Sequence, residues 1–383
     1  MRFLRGFKRF SILLLIVLML TPTSVQAGTS APENGVLSCT YAAPEEVHSY
    51  LDHLFDGDAY STVTLYRRES LTVSFPESTA ERFLYLAFYD LPDAYEIVFS
   101  DAAGAQLSRT RIENTRQLYA MLPIEPNAAS ATVFAADSSL RLCECFACTD
   151  AFVPPFPDTD ACADALILLN APGDELRLLG GLLPLLAGER RLSVQTVYLT
   201  RADGYRMQQC IEVLRASGVT REPLFGTGRE PSTRSEKAVY SAIAPRSEWK
   251  QALVEQIRTL CPKLIVTLDP DPEQERFADS VIADVVCDAA ASVPEVACKV
   301  YTLSRDGGTQ LSMNEPLTAF DGVTAGSFAD TLSDFYREER ILPRRLPDTV
   351  RFKLVQSSVG DDVACNDLLE HLSDVLPTPV PTP

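Results

Sequence analysis

Two kinds of hydrophobic periodicity divide the chain. Between Tyr60 and Phe146, apolar residues alternate with polar ones in short segments, which turn residues such as Asp93 and Gly104 separate. A period of two at this spacing is typical of an all-β sandwich. The predicted strands are Thr62–Tyr66, Leu71–Phe75, Phe83–Phe88, Tyr95–Phe99, Leu118–Met121, Ala131–Ala135 and Leu140–Leu142.

After residue 161 the pattern changes to apolar strands that alternate with helices. The predicted strands are Ala165–Leu169, Val194–Leu199 and Leu264–Leu268, and the predicted helices are Glu175–Ala187, Arg206–Ser217, Trp249–Leu260 and Val281–Ala291. This alternation predicts an α/β fold, a mostly parallel sheet with helices on both faces. Ligands bind such sheets beyond the carboxyl ends of the strands. The loop Asn170–Glu175, after the first strand, is therefore the first place to look for a site.

Both ends of the chain differ in composition from a folded domain. Basic residues precede the apolar run Phe10–Leu20, and Val25–Ala27 is a small-residue cleavage site, a pattern that predicts a secretory signal peptide. The run is too short to span a bilayer. An uncleaved anchor and lipidation at Cys39 remain alternatives. We expect an exported protein, secreted or at the cell surface, without stable membrane insertion after cleavage.

These patterns predict six segments along the chain. They are a signal peptide at 1–27, an N-terminal extension at 28–58, a β-sandwich at 59–150, a Pro-rich linker at 151–161, an α/β domain at 162–372 and an extended Pro-rich tail at 373–383.

Charge and residue counts exclude several functions. The 52 acidic residues outnumber the 34 basic ones, a formal net charge of −18, which argues against nucleic acid as a partner. The chain has 3 histidines, so any hydrolytic site must manage with few imidazoles. The 10 cysteines all follow the signal segment. In an exported chain they predict disulfides, with a metal site at Cys143, Cys145 and Cys148 as the alternative.

The first half resembles galactose-binding-like (discoidin-type) sandwiches. The similarity lies in Leu54–Thr62 and in Leu91–Val98. It implies a glycan-binding surface at the loops of one end of the sandwich, and a packing module without a ligand is the alternative.

The second half resembles the N-acetylglucosaminyl-phosphatidylinositol de-N-acetylase (PIG-L) family, over about residues 165–370. The resemblance rests on the strand, the short acidic loop Asn170–Glu175 and the pair Gly180–Gly181 on the following helix. Further similarity lies in Val197–Thr200, Tyr205–Arg206, Gly218–Val219, Ile257–Arg258, Pro262–Thr267, Lys299–Tyr301, Pro316–Phe320, Ser357–Asp361 and Asn366–Asp367. It implies a Rossmann-type sheet and zinc-dependent amide hydrolysis.

The resemblance also implies that most of the catalytic residues are missing. The family's His-x-Asp-Asp-Glu loop supplies two zinc ligands and a general base, and this chain has Ala171, Gly173 and Asp174 at those positions. In the later His-x-x-His segment, Phe277 replaces the residue near the oxyanion and Ser280 replaces a ligand. A catalytic zinc needs about three protein ligands and a nearby base. We therefore expect no bound zinc.

Three other groups of residues are candidates. Arg206 and Glu175 are the candidate substrate-binding residues: Arg206 aligns with an arginine that lies near the substrate in the family, although it has an alternative role as the ion-pair partner of a neighbouring acid. Asp174 and Glu175 are also ordinary acids for the first turn of a helix. Asp269, Asp271 and Glu273 are a possible Ca²⁺ site or a solvated acidic run.

The functional expectation is a pseudo-deacetylase that binds a glycan or an N-acetyl-sugar conjugate without cleaving it. The first alternative is an N-acetyl-sugar deacetylase with a non-standard metal site. The second is a structural or protein-binding surface component.

Overall fold

The computed structural model describes residues 35–77, 80–113, 115–229, 235–271, 277–336, 342, 346–359, 368–369 and 372. The chain divides into two units, residues 1–152 and 153–383. The predicted signal peptide and Pro-rich tail, as well as Glu273 and Cys365, lie outside the described residues.

Antiparallel strands form two sheets in the first unit. The strands are β1 Thr40–Ala42, β2 Val63–Leu65, β3 Ser70–Ser74, β4 Arg82–Phe88, β5 Ala94–Ser100, β6 Gln106–Glu113, β7 Tyr119–Pro123, β8 Ser130–Ala135 and β9 Leu140–Thr149. Their orders are β1-β3-β8-β5-β6 and β2-β9-β4-β7. The rings of Phe88 on β4 and Tyr95 on β5 lie 5.0 Å apart across the sheets. The Tyr41 hydroxyl of β1 donates to the Cys145 carbonyl of β9 at 2.9 Å. The predicted all-β sandwich is confirmed.

Two parts of this unit were not predicted as regular structure. β1 and the 3-10 helix Glu45–Leu54 lie in the segment predicted as an extension, and the helix buries Val47, Leu51 and Leu54. β6 was missed because it pairs along one side with β5 and exposes most of its side chains. A strand exposed in this way has no alternation of apolar and polar residues to detect.

Helices and strands alternate in the second unit. The strands are β10 Ala165–Leu169, β11 Val194–Arg201, β12 Leu224–Arg229, β13 Leu264–Thr267, β14 Lys299–Leu303, β15 Thr309–Ser312, β16 Pro316–Leu317, β17 Val323–Thr324 and β18 Thr349–Ser357. The α-helices are α1 Asp174–Leu179, α2 Gly204–Ala216, α3 Glu236–Ala242, α4 Arg246–Leu260, α5 Phe277–Ala291 and α6 Ala325–Leu332. Short 3-10 helices span Thr318–Phe320 and Ser333–Tyr336, and a π-helix spans Pro184–Glu189.

The main sheet of this unit is mixed, in the order β12-β11-β10-β13-β14-β18-β15. The strands from β12 to β14 are parallel, as predicted, whereas β18 runs antiparallel to both β14 and β15. The chain starts in the middle at β10, adds β11 and β12 on one side, and then returns to add β13 and β14 on the other. The strand order therefore reverses between β10 and β13.

The helix predicted over Glu175–Ala187 is interrupted. α1 ends at Leu179, and Gly180 adopts a left-handed backbone with φ 52°. A Cβ atom at Gly181 would lie 2.4 Å from the backbone of Ala325 on α6. Gly180 thus ends α1, and Gly181 allows close contact with α6. The π-helix Pro184–Glu189 follows.

Arg221 binds residues of the predicted linker to the second unit. Its guanidinium donates to the carbonyls of Asp160 at 2.7 Å and Cys162 at 2.9 Å, and it contacts the Asp158 carboxylate at 3.3 Å. Arg221 is 7% exposed, so its guanidinium is largely shielded from water. The segment before β10 is therefore part of the folded unit.

In the first unit, a carboxylate of β9 holds the loop that follows the 3-10 helix. Glu144 accepts a hydrogen bond from the Gly57 amide at 2.8 Å. Burial, together with the neighbouring Asp56 and Asp58, raises the pKa of Glu144 to about 7. This loop lies in the segment that resembles galactose-binding-like sandwiches.

Replacing Arg221 with alanine should destabilise the second unit by about 1–3 kcal/mol, because two carbonyls and a carboxylate of the segment before β10 lose a largely buried donor. Urea unfolding followed by fluorescence measures this, since the single tryptophan, Trp249, lies buried in that unit. Arg215→Ala, at an exposed position of α2, is the matched control and should change little. Equal stability of the two variants would contradict the role given to Arg221.

Glu144→Gln should stabilise the protein at pH 8 by up to about 3 kcal/mol and have little effect at pH 5. A raised pKa means that the folded state holds a proton which the unfolded state has lost. The unfolding free energy of the wild type therefore falls as pH rises from about 4.5 to about 7. Calorimetry at both pH values measures the difference. The exposed Glu46→Gln is the control, and a pH-independent effect at Glu144 would refute this assignment.

Candidate functional site

The strand order places a candidate site at the carboxyl ends of β10 and β13. In an open α/β sheet, ligands bind in the crevice where the strand order reverses. β10 and β13 are neighbours there, with Ile167 opposite Val266. The loops that follow them, from Asn170 and from Leu268, are the loops that carry the predicted site residues.

The loop after β10 turns two carboxylates toward its own backbone. Gly173 has φ 98°, in the left-handed region that favours glycine. Asp174 then accepts a hydrogen bond from the Ala171 amide at 3.1 Å, and Glu175 accepts one from the Gly173 amide at 2.8 Å. An aspartate at Gly173, as in the family pattern, would be strained in this backbone.

Asp174, which keeps the aspartate ligand of the family's zinc-binding loop, is engaged on both oxygens. Its Oδ2 accepts from Ala171, and its Oδ1 accepts from the Arg177 guanidinium, whose Nε lies at 3.1 Å. Asp174 is 0% exposed. Metal binding would require breaking these contacts. The arrangement matches the alternative of a first-turn acid paired with a cation three residues later.

Glu175, predicted to contact substrate, is also enclosed. Tyr336 donates to its Oε1 at 2.6 Å and Tyr198 donates to its Oε2 at 3.1 Å. Burial raises the pKa of Glu175 in spite of the hydrogen bonds from the Tyr336 hydroxyl and the Gly173 amide, which act in the opposite direction. Glu175 is 0% exposed. Its two hydrogen bonds connect α1 to the 3-10 helix at Tyr336 and to β11 at Tyr198.

The remaining zinc positions carry no suitable ligand set. Ala171 is buried, and Phe277 and Ser280 lie half-buried in the first turn of α5. That helix begins at Phe277, four residues before the predicted start at Val281, and its first turn buries Ala278 and Asp279. Across the described residues, no three His, Cys, Asp or Glu side chains are grouped to hold a metal ion. The residues present do not fit the family's zinc.

Arg206 supports the loop from α2. Its Nε donates to the Pro172 carbonyl at 2.8 Å, and its amide donates to Asp203 at 3.0 Å. The half-buried guanidinium thus holds the backbone between β10 and α1 in place. Its predicted contact with a substrate stays a prediction.

The possible Ca²⁺ site forms a local turn in its described part. Asp269 is half-buried and accepts a hydrogen bond from the Asp271 amide at 2.9 Å, and Asp271 is exposed. Glu273 lies outside the described residues. An aspartate that accepts from the amide two residues later is common in turns, so this arrangement by itself does not indicate a cation.

A cavity of about 550 Å³ opens beside these loops. Its lining combines apolar side chains with carboxylates, guanidinium groups and neutral polar groups. The lining residues are Leu178, Asp269, Asp279, Leu303, Ser304, Arg305, Gln310, Thr349, Val350 and Arg351. Asp279 is 2% exposed, while Arg305 and Arg351 reach solvent. Of the predicted residues that the structure describes, Asp269 alone lines the cavity.

Sequence reasoning missed most of this lining for a physical reason. Gln310 and Arg351 come from β15 and β18, whose antiparallel return brings distant segments to the edge of the sheet. No local pattern marks such a pairing. Asp279 had a signal, an acid within the Phe277–Ser280 segment that the family alignment had already singled out.

The prediction of disulfides is not supported. All nine cysteines among the described residues are free thiols. Several are engaged with the backbone instead: the Cys143 thiol donates to the Ala59 carbonyl at 3.1 Å, and Cys39 accepts from the Ala147 amide at 3.3 Å. Burial raises the pKa of Cys143 and Cys148 to about 12. The alternative, a metal site at Cys143, Cys145 and Cys148, is not formed either.

No protein-family model matches the chain, and no curated protein matches it. Among solved structures, the conserved protein TT1542 from Thermus thermophilus is 15% identical, over 51% of this chain and 95% of that one, with a TM-score of 0.36. GalB, the 4-carboxy-2-hydroxymuconate hydratase from Pseudomonas putida KT2440, is 13% identical, over 52% and 99%, with a TM-score of 0.36. The GH31 CBM32-2 module bound to GalNAc is 15% identical, over 30% and 99%, with a TM-score of 0.26. At these values the similarity assigns neither a family nor an activity.

Among the helices in the described residues, none has the length and apolar character needed to cross a membrane.

Tyr336→Phe should destabilise the second unit by about 1–3 kcal/mol, since a buried carboxylate loses a donor. The loss should be greater at pH 8 than at pH 5, because removing the donor raises the pKa of Glu175 further. When the pKa of Glu175 in the folded state is higher, the unfolding free energy falls further as the pH rises from 5 to 8. Trp249 fluorescence in urea measures it.

The control for this experiment is the same change in a Glu175→Gln background. There the pH-dependent part of the Tyr336→Phe effect should vanish, because no carboxylate remains to titrate. If the pH dependence persisted, another group would be responsible.

Proposed function

We propose that the second unit binds a carbohydrate, a glycan or an N-acetyl-sugar conjugate, in the cavity at the carboxyl edge of its sheet, and does not hydrolyse it. The observation that carries this proposal is the lining of that cavity, which combines apolar, charged and neutral polar side chains. The cavity lies beside the loop Asn170–Glu175, whose carboxylates bond to the loop's own backbone.

The lining suits a molecule with many hydroxyl groups and an apolar face. Carboxylates such as Asp269 accept from hydroxyls, and Gln310, Ser304 and the arginines donate to ring and carbonyl oxygens. Leu303 and Val350 offer contact to C–H groups. A volume of about 550 Å³ lies within the range of about 300–1,000 Å³ found for ligand pockets.

Hydrolysis needs groups that this loop does not offer. An amide bond is cleaved by an activated water, a base within hydrogen-bond reach and a stabiliser for the oxyanion. Ala171 and Gly173 carry no base, and Asp174 is paired with Arg177. Glu175, the remaining carboxylate of the loop, is buried under two tyrosines.

We further propose that this unit descends from the PIG-L de-N-acetylases and that the protein works outside the cell. The ordered similarities from Val197 to Asp367 and the signal-like N-terminus support these two points. In this scheme the inherited sheet and crevice are kept, while the zinc ligands have been lost.

Calorimetric titration of the purified mature chain with N-acetylglucosamine oligosaccharides tests the proposal. We expect saturable binding and no released acetate, with or without added zinc. Gln310→Ala should weaken binding by about fivefold to tenfold, the loss of one or two hydrogen bonds. Gln251→Ala, at an exposed position of α4, should leave it unchanged.

Two results would refute the proposal. Acetate release that disappears with chelator and with Asp174→Asn would establish the metal-dependent deacetylase instead. Absence of binding to any sugar of a broad glycan array would leave the structural or protein-binding component.

A further inference from the structure

Two buried threonines lie side by side near the carboxyl end of the sheet. Thr267 ends β13, Thr302 lies on β14, and the two are register partners. Neighbouring strands are about 4.8 Å apart, and register partners on parallel strands project from the same face. Each threonine is 1% exposed, and neither hydroxyl has a hydrogen-bond partner among the described residues.

Such a pair calls for a physical explanation. Nearly all buried polar groups are bonded to protein or to ordered water. Valine has almost the same shape as threonine, so valine at these positions would fill the same space without burying a hydroxyl. Two adjacent hydroxyls together supply the donors and acceptors that a buried water requires.

The order of the chain connects these threonines to the cavity. Asp269 comes two residues after Thr267, just past the end of β13, and Ser304 comes two residues after Thr302, just past the end of β14. Asp269 and Ser304 both line the cavity. Two residues advance a strand by about 6.6 Å, and a water bonded to a threonine hydroxyl at about 2.8 Å covers nearly half of that distance toward the lining side chains.

We propose that Thr267 and Thr302 hold one ordered water that forms the floor of the cavity and gives a hydrogen bond to a hydroxyl group of the ligand. This inference rests on the proposed function and deepens it. It makes the two threonines specificity residues for a hydroxylated ligand, acting through a water rather than by direct contact.

Isosteric substitution tests the proposal. Thr267→Val and Thr302→Val should each weaken oligosaccharide binding about tenfold, with a urea midpoint equal to or below that of the wild type. The double variant should lose no more affinity than either single variant, because both changes remove the same water.

Thr196→Val is the matched control. Thr196 is 0% exposed on β11 and its hydroxyl also lacks a partner among the described residues, but it lies near the start of its strand, away from the cavity end. Removing a hydroxyl that nothing satisfies should raise the urea midpoint and leave binding unchanged.

The readouts separate this inference from the proposed function. If Thr267→Val and Thr302→Val raised the midpoint as Thr196→Val does and kept full affinity, the water site would be refuted while sugar binding stood. If the wild type bound no sugar, the proposed function would fail. The urea midpoints of Thr267→Val and Thr302→Val would then decide whether the water site exists. A rise in both midpoints would refute it, and a fall would support it.

Discussion

The left-handed backbone at Gly173 is the constraint on which the site depends. It bends the chain after β10 so that Asp174 and Glu175 meet the amides of Ala171 and Gly173 instead of the crevice. Arg177 then pairs with one carboxylate, and Tyr198 and Tyr336 close over the other. The acids that could have served chemistry at the edge of the sheet serve the structure of the loop.

This use of the acids changes what the crevice can do. The polar groups that remain around the cavity come from segments after β13 and β14 and from the antiparallel strands β15 and β18. They form a surface of donors, acceptors and apolar patches suited to holding a ligand. A reaction would need a nucleophile and a base directed at one atom, whereas binding needs many modest contacts distributed around a molecule.

Much of the architecture was predictable where burial is local. The wholly apolar run Ala165–Leu169 is a central strand, and the alternating segments of the first half are strands of a sandwich. Two features carried a visible signal that the prediction did not use: Gly180 follows the last residue of the helix, and Arg177 stands three residues after Asp174. The cavity lining was not predictable, because Gln310 and Arg351 reach it through pairings of β15 with β18 that no short-range pattern encodes.

Equilibrium dialysis of the purified mature chain against zinc, with the bound metal measured per chain, tests the central claim most directly. Because Asp174 is bonded to Arg177 and Ala171, no stoichiometric zinc should bind at micromolar concentrations. Asp174→Asn should leave the amount of bound zinc per chain unchanged. One zinc per chain, lost in that variant, would contradict the account.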